Sequence, residues 1–303
     1  MGKIIRTPEN RFEKLEGYAF QSHYMFLEED LRLHYLDDGS HHNPTILLLH
    51  GEPSWSYLYR KMIPILSEKF RVIAPDLIGF GKSDKFVDKH AYSYQNHVNW
   101  IATFIKKLNL KNSLLFCQDW GGLIGLRLLV EMEERFSMAI ASNTTLPTGD
   151  IPMPESFMKW RAFSQHSSEF DIGKVIDMGT VEPLSKQAYE AYNAPFPSEE
   201  HKAGARIFPT LIPIDAKDPE ALKNKNYWEQ LASWKKPFLT LFGDSDPIMR
   251  GAERLFQKRI PGAEGQRHAM LHAGHFIQEE KGEALAALIM TFYSENTADK
   301  KEN

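Results

Sequence analysis

Ser113-Leu-Leu-Phe-Cys-Gln-Asp-Trp-Gly-Gly122 is the stretch from which the fold can be read. Residues 113–117 have the near-continuous apolar character of a strand buried on both faces, and a helical run begins at Leu123. The five residues between, Gln118 to Gly122, must turn sharply from strand to helix. Such a turn pushes one strained side chain into a cleft and needs small neighbours to do so. The usual pattern sets glycine two residues before and two after that side chain. Gly121 fills the second place, and Cys117, still small, stands in the first. Where this turn ordinarily presents serine, the chain has Asp119.

Outward from that turn, four more runs read as buried strands: Thr45 to His50, Phe70 to Ala74, Met138 to Ser142 and Pro237 to Phe242. Helical patterns lie between them, at His97 to Leu108 and Leu123 to Glu134. Alternation of this kind predicts an α/β protein with a doubly wound, mostly parallel sheet. The rhythm breaks after Leu146, where a proline-rich run leads into segments rich in Phe, Trp and Tyr, and it resumes at Pro237. An inserted helical cap over the carboxyl ends of the strands fits this break. The expected division is a core of 1–146 and 214–303 with a cap of 147–213.

Composition narrows the chemistry. The chain has 303 residues, 36 Lys and Arg against 40 Asp and Glu, and one cysteine. It is long enough to bury a core without staples, and a single thiol allows neither an internal disulfide nor a cysteine zinc site. The slightly acidic balance argues against nucleic acid as a partner. Residues 1–18 lack the apolar core of a secretory signal, and Lys3 to Arg6 offer no serine or threonine for a myristoylation signal. No run is apolar for the ~18 residues that a membrane span needs, since Gln118, Asp119 and Arg127 interrupt the best one. A soluble, cytoplasmic protein is expected, with a polar tail at 295–303 that frays.

Aspartate in place of serine changes the reaction. Serine needs a base to deprotonate it, whereas a carboxylate with an ordinary pKa near 3.9 is already ionised at neutral pH. It is a modest nucleophile suited to saturated carbon bearing a leaving group, and the product is an alkyl ester of the enzyme. Water must then hydrolyse that ester, which calls for a general base and a carboxylate to orient it. In the order nucleophile, acid, base, the base falls at His275, in Leu271-His-Ala-Gly-His275, with His272 left structural or exposed. The acid falls at the end of a strand, at Asp246 in preference to Asp244; the other strand end that could hold it has Asn143 and Thr144. An oxyanion hole needs two backbone N–H donors, from Trp120 after the nucleophile and from Glu52 in His50-Gly-Glu-Pro53. Loss of one such donor costs about 3 kcal/mol. The plainer alternative for Asp119 is a helix cap.

The runs His50-Gly-Glu-Pro-Ser-Trp-Ser-Tyr-Leu-Tyr-Arg60, Asp76-Leu-Ile-Gly-Phe-Gly-Lys-Ser83, Gln118 to Gly122, Tyr192-Asn-Ala-Pro-Phe-Pro197 and Ala273-Gly-His-Phe-Ile-Gln278 resemble the haloalkane dehalogenases, subfamily I, of the α/β-hydrolase superfamily. The resemblance covers most of the chain, and Glu52 and Asp246 fit that subfamily. It implies hydrolysis of small haloalkanes to alcohol, halide and proton, with no cofactor or metal, by a monomer or weak homodimer. It also implies that Glu52 helps to seat the hydrolytic water, and that two tryptophans bind the halide: Trp120 and, as the only one in the expected cap, Trp160. An indole N–H suits that task because it is a neutral donor with no acceptor. Phe157 and Phe163 flank Trp160 at three-residue spacing, which also suits a packing stripe.

Rival readings remain. Epoxide hydrolases, and luciferases of the coelenterazine type, share the Asp-Trp turn. Epoxide opening wants two cap phenols, for which Tyr189 and Tyr192 are the candidates, although both stand where packing is expected. A non-catalytic receptor on a hydrolase fold would have no need of nucleophile, acid and base together. Two decoys fall away. Gly79-Phe-Gly-Lys-Ser83 lacks the earlier glycine of a phosphate loop, because position 76 is Asp. His41 and His42 lie in a polar turn without a metal-binding helix context.

Overall fold

The computed structural model describes residues 2–298. Its eight-stranded sheet is formed by β1 (Ser22–Phe26), β2 (Arg32–Asp38), β3 (Thr45–Leu49), β4 (Arg71–Pro75), β5 (Ser113–Gln118), β6 (Phe136–Ser142), β7 (Phe238–Gly243) and β8 (Ala269–Leu271). The order across the sheet is β8-β7-β6-β5-β3-β4-β2-β1, parallel from β8 to β4 and antiparallel at the β2 and β1 edge. Every residue of β5 and β7 is buried, as expected of parallel strands covered on both faces. Asp119 follows β5 and Asn143 follows β6, so both stand at the carboxyl edge where an open α/β sheet binds its ligands.

Helices α1 (Tyr94–Lys107) and α2 (Trp120–Glu131) flank β5 in the chain. Both start three residues earlier than the hydrophobic pattern suggests. The Ser93 side chain accepts from Asn96 N–H and sets the start of α1, and α2 begins at the turn itself. Between β6 and β7 the chain makes α3 (Glu155–His166), α4 (Ile172–Met178), α5 (Lys186–Asn193), α6 (Ala203–Leu211) and α7 (Pro219–Leu231). Helix α3 packs on α6 and α4 on α5, whereas α7 returns to pack on α2. After β7 come α8 (Glu253–Arg259) and α9 (Ile277–Ala298).

Strands β1, β2 and β8 have no counterpart among the apolar runs. β1 is half-exposed along its length and β8 has three residues, so neither carries a continuous apolar signal. The expected fraying from residue 295 is also corrected. Helix α9 continues to Ala298, and the Asn296 side chain exchanges hydrogen bonds of 3.2 and 3.1 Å with Gln266. The remainder of that tail, 299–303, lies outside the described residues. Among the described residues no helix is long and apolar enough to cross a membrane.

Candidate active site

Asp119 has φ 51° and ψ −124°, a left-handed backbone that a non-glycine residue adopts only under restraint. The restraint is visible on every side. Asp119 N–H donates to Asn143 O (3.1 Å), and its carbonyl accepts from Gly122 N–H (2.9 Å), Leu123 N–H (3.1 Å) and Thr144 Oγ1 (2.8 Å). Neighbouring glycines leave the space. A Cβ on Gly121 would stand 2.0 Å from Leu49 O, and one on Gly51 would stand 2.3 Å from Asp119 Cβ. The helix-cap alternative finds no support here, because the Asp119 side chain makes no capping hydrogen bond.

Instead, the Asp119 carboxylate faces the groups expected from the sequence. Oδ1 accepts from Glu52 N–H at 2.8 Å, and Oδ2 lies 3.4 Å from His275 Nε2. His275 Nδ1 stands 2.8 Å from Asp246 Oδ2. Asp246 is buried and held by Asn143 Nδ2 (2.7 Å) on Oδ2 and by Ile248 N–H (2.8 Å) and Met249 N–H (3.1 Å) on Oδ1. Burial would raise the pKa of Asp246, but the charge and hydrogen bond of His275, with these donors, pull it down to about 2. Burial would lower the pKa of His275, and here the charge of Asp246 and hydrogen bonds to Asp119 and Asp246 prevail, raising it to about 10. Asp244, the rejected acid, is on the surface with His272, 3.2 Å away.

Glu52 is buried beside Asp119. Burial and the Asp119 charge raise its pKa well above the ordinary carboxylate range, against the smaller opposing pull of His275 and the Trp160 indole. The loop carrying it is pinned by His50, whose Nε2 accepts from Leu77 N–H at 2.9 Å. Trp120 is packed by Tyr94 and Phe208, with ring centroids at 5.0 and 4.6 Å, and its buried Nε1 has no hydrogen-bond partner. An orphaned buried donor is costly unless a ligand completes it.

Asp119, Trp120, Glu52 and His275 line a cavity of about 440 Å³. Helix α3 contributes Phe157, Trp160 and Phe163 to its wall, and α4 contributes Val175 and Met178. Trp160 stacks on Phe163 and Phe170, with centroids at 6.0 and 5.7 Å. It therefore both packs and faces the cavity. A broader groove of about 900 Å³ lies along 145–154 and shares Ile248 and Met249 with this wall, but none of the three catalytic candidates lines it. Among the described residues no group of three or more His, Cys, Asp or Glu side chains is placed to hold a metal ion.

The two phenols considered for epoxide opening are engaged elsewhere. Tyr189 OH donates to Asp171 Oδ2 (2.8 Å) and Tyr192 OH to Glu279 Oε2 (2.6 Å), and neither lines the cavity. Sequence reasoning missed the part played by Asn143 and Gln118. Asn143 was passed over as a non-acid, yet it bonds Asp246. The Gln118 Nε2 lies 3.2 Å from both His275 O and His275 Nε2. Their positions at the carboxyl ends of β5 and β6 were the available signal.

Comparison with known proteins shows the family. The alpha/beta hydrolase fold family matches residues 44–282. A haloalkane dehalogenase of Psychrobacter cryohalolentis is 51% identical over 300 residues, covering 97% of this chain and 99% of that protein. One from Mycolicibacterium paratuberculosis is 47% identical over 294 residues, covering 95% and 98%. The tetrameric structure of a haloalkane dehalogenase from Paraglaciecola agarilytica superposes with a TM-score of 0.88 at 35% identity, covering 94% of this chain and 97% of that one. With identity of this level along nearly its whole length, and an aspartate at the strained turn, the chain belongs to the haloalkane dehalogenases of the α/β-hydrolase fold.

Proposed function

We propose that Asp119 Oδ2 attacks the halogen-bearing carbon of a small haloalkane. Oδ1 is tied to Glu52 N–H at 2.8 Å, whereas Oδ2 has only the longer 3.4 Å approach of His275 Nε2, which makes Oδ2 the more available nucleophile. The carbon–oxygen bond forms as the carbon–halogen bond breaks, and the halide leaves toward the indole N–H groups of Trp120 and Trp160. The single observation that carries this reading is the buried, unpartnered Trp120 Nε1 beside a carboxylate in a largely apolar cavity.

Alkylation removes the charge of Asp119, and with it one of the two carboxylates that hold the proton on His275. His275 then sheds that proton more readily and serves as the base, with Asp246 orienting it. Water, seated with help from Glu52, gives a proton to His275 Nε2 and attacks the ester carbon. The oxyanion on Oδ1 rests in the hole formed by the N–H groups of Glu52 and Trp120, and collapse releases the alcohol and restores the carboxylate. Residues 147–213 serve as the cap that closes this chemistry from bulk water. The same proposal takes the protein as cytoplasmic and as a monomer or weak homodimer. Light scattering tests the latter, and a tetramer, the form of the Paraglaciecola relative, would contradict it.

Halide release from 1-bromobutane and 1,2-dibromoethane, followed as acidification in weak buffer, tests the activity. Release from both is expected. No release from either, with turnover of styrene oxide, would overturn the reading.

A further inference from the structure

Two adjacent carboxylates at the start of α9 join segments that are distant in the chain. Glu279 accepts from Arg60 Nη1 and Nη2 at 2.6 Å each, from Lys61 Nζ at 3.0 Å and from Tyr192 OH of α5. Glu280 spans a second seam. Its Oε1 accepts from Val181 N–H (2.9 Å) and Glu182 N–H (3.2 Å), in the turn after α4, and its Oε2 accepts from Gly274 N–H (2.7 Å). Gly274 is the residue before His275.

Along the same seam the two segments touch backbone to backbone. His275 N–H donates to Gly179 O at 2.7 Å, and Phe276 N–H reaches it at 3.4 Å. Gly274 and Gly179 make this approach feasible: a Cβ on the first would stand 2.3 Å from Gly179 O, and one on the second 2.6 Å from the Phe276 ring. Gly179 follows Met178, which with Val175 lines the cavity wall. The position of His275 is thus tied to the end of α4, and the Glu280 carboxylate, with three N–H donors, is the side chain that holds the two together.

We infer that Glu280 is a positioning residue for ester hydrolysis: it clamps the 179–182 turn to the His275 loop, so that the base keeps its place relative to Asp119 and the attacking water. This rests on the reading of His275 as the base. Attack of Asp119 on the haloalkane needs no proton transfer and so depends less on the exact pose of His275. Ester hydrolysis needs both, and a misplacement near 1 Å is enough to slow such a step by one or two orders of magnitude. The two half-reactions should therefore separate.

Rapid-quench measurement with 1-bromobutane reads both steps, the halide burst for alkylation and alcohol formation for hydrolysis. In Glu280→Gln, alcohol formation should fall about tenfold while the burst rate stays within about threefold, and intact mass should show alkyl-enzyme building up at steady state. Glu280→Asp keeps the charge with a shorter reach, and should recover part of the hydrolysis rate and lower the build-up. Equal losses in both steps, or a lower melting temperature with unchanged kinetics, would overturn the inference. His275→Phe, run alongside, separates the two claims. If it builds up alkyl-enzyme and Glu280→Gln does not, only the role of Glu280 fails; if it builds up none, the base assignment fails as well.

Discussion

Asp119 and Trp160 face one cavity but are held there by different means. Asp119 sits on backbone strain that its surroundings maintain: four backbone and side-chain hydrogen bonds fix its peptide, and Gly51 and Gly121 leave no room for a methyl group. Trp160 sits on a helix that it did not need to distort, half-buried, in a three-ring cluster with Phe163 and Phe170. The sheet edge thus fixes atoms to within hydrogen-bond tolerance, while the α3 wall supplies shape by stacking and, in the proposed mechanism, an N–H donor. Reaction type should therefore reside in the first region and substrate fit in the second, with leaving-group affinity shared between Trp120 and Trp160.

Gly121→Ala is the most severe way to break this contrast. Its methyl would collide with the Leu49 carbonyl, which is backbone and has no rotamer to yield. A destabilisation of about 4 kcal/mol or more in urea unfolding is expected, with loss of the turn. A methyl accommodated at little cost would mean that the elbow is held less rigidly than its contacts imply.

Trp160→Phe probes the other region. It keeps the stacking and deletes one N–H, so stability should be nearly unchanged while halide affinity, read by tryptophan quenching, falls about tenfold, the worth of a hydrogen bond to a charged group. Unchanged binding would assign Trp160 to packing alone.

A smaller effect separates the two by pH. The His275 pKa is raised from an ordinary 6.5 to about 10, so its ties stabilise the folded chain fully below 6.5 and fade as pH rises through about 10. Asp119→Asn removes one of the two carboxylates responsible. Its melting temperature should fall less than that of the parent between pH 7 and about 10. An equal fall would show that Asp119 contributes little to holding that proton.

The same contrast explains what the sequence could reveal. Asp119, Asp246 and His275 were legible because chain order and a turn signature define their places, and Glu52 and Trp120 follow from the same geometry. Cys117, in the place of the usual glycine, is a buried thiol whose pKa burial raises, near Ile140 O and close to Gly125 of α2. The small-spacer reading of that position fits these contacts. Asn143, Gln118 and Glu280 were not legible, because their partners are brought near only by strand adjacency and by the seam between α4 and the His275 loop. Nor was the Phe170 face of Trp160, which lies beyond the end of α3 and outside any helical spacing rule.

The central claim is the covalent ester on Asp119, and intact-protein mass of His275→Phe after exposure to 1-bromobutane tests it most directly. The account predicts a stable gain of one butyl group, located on Asp119 by peptide mapping, with hydrolysis slowed by about a thousandfold or more. An unshifted mass with continued bromide release would contradict it, because the halide would then be displaced by water without attack by the carboxylate.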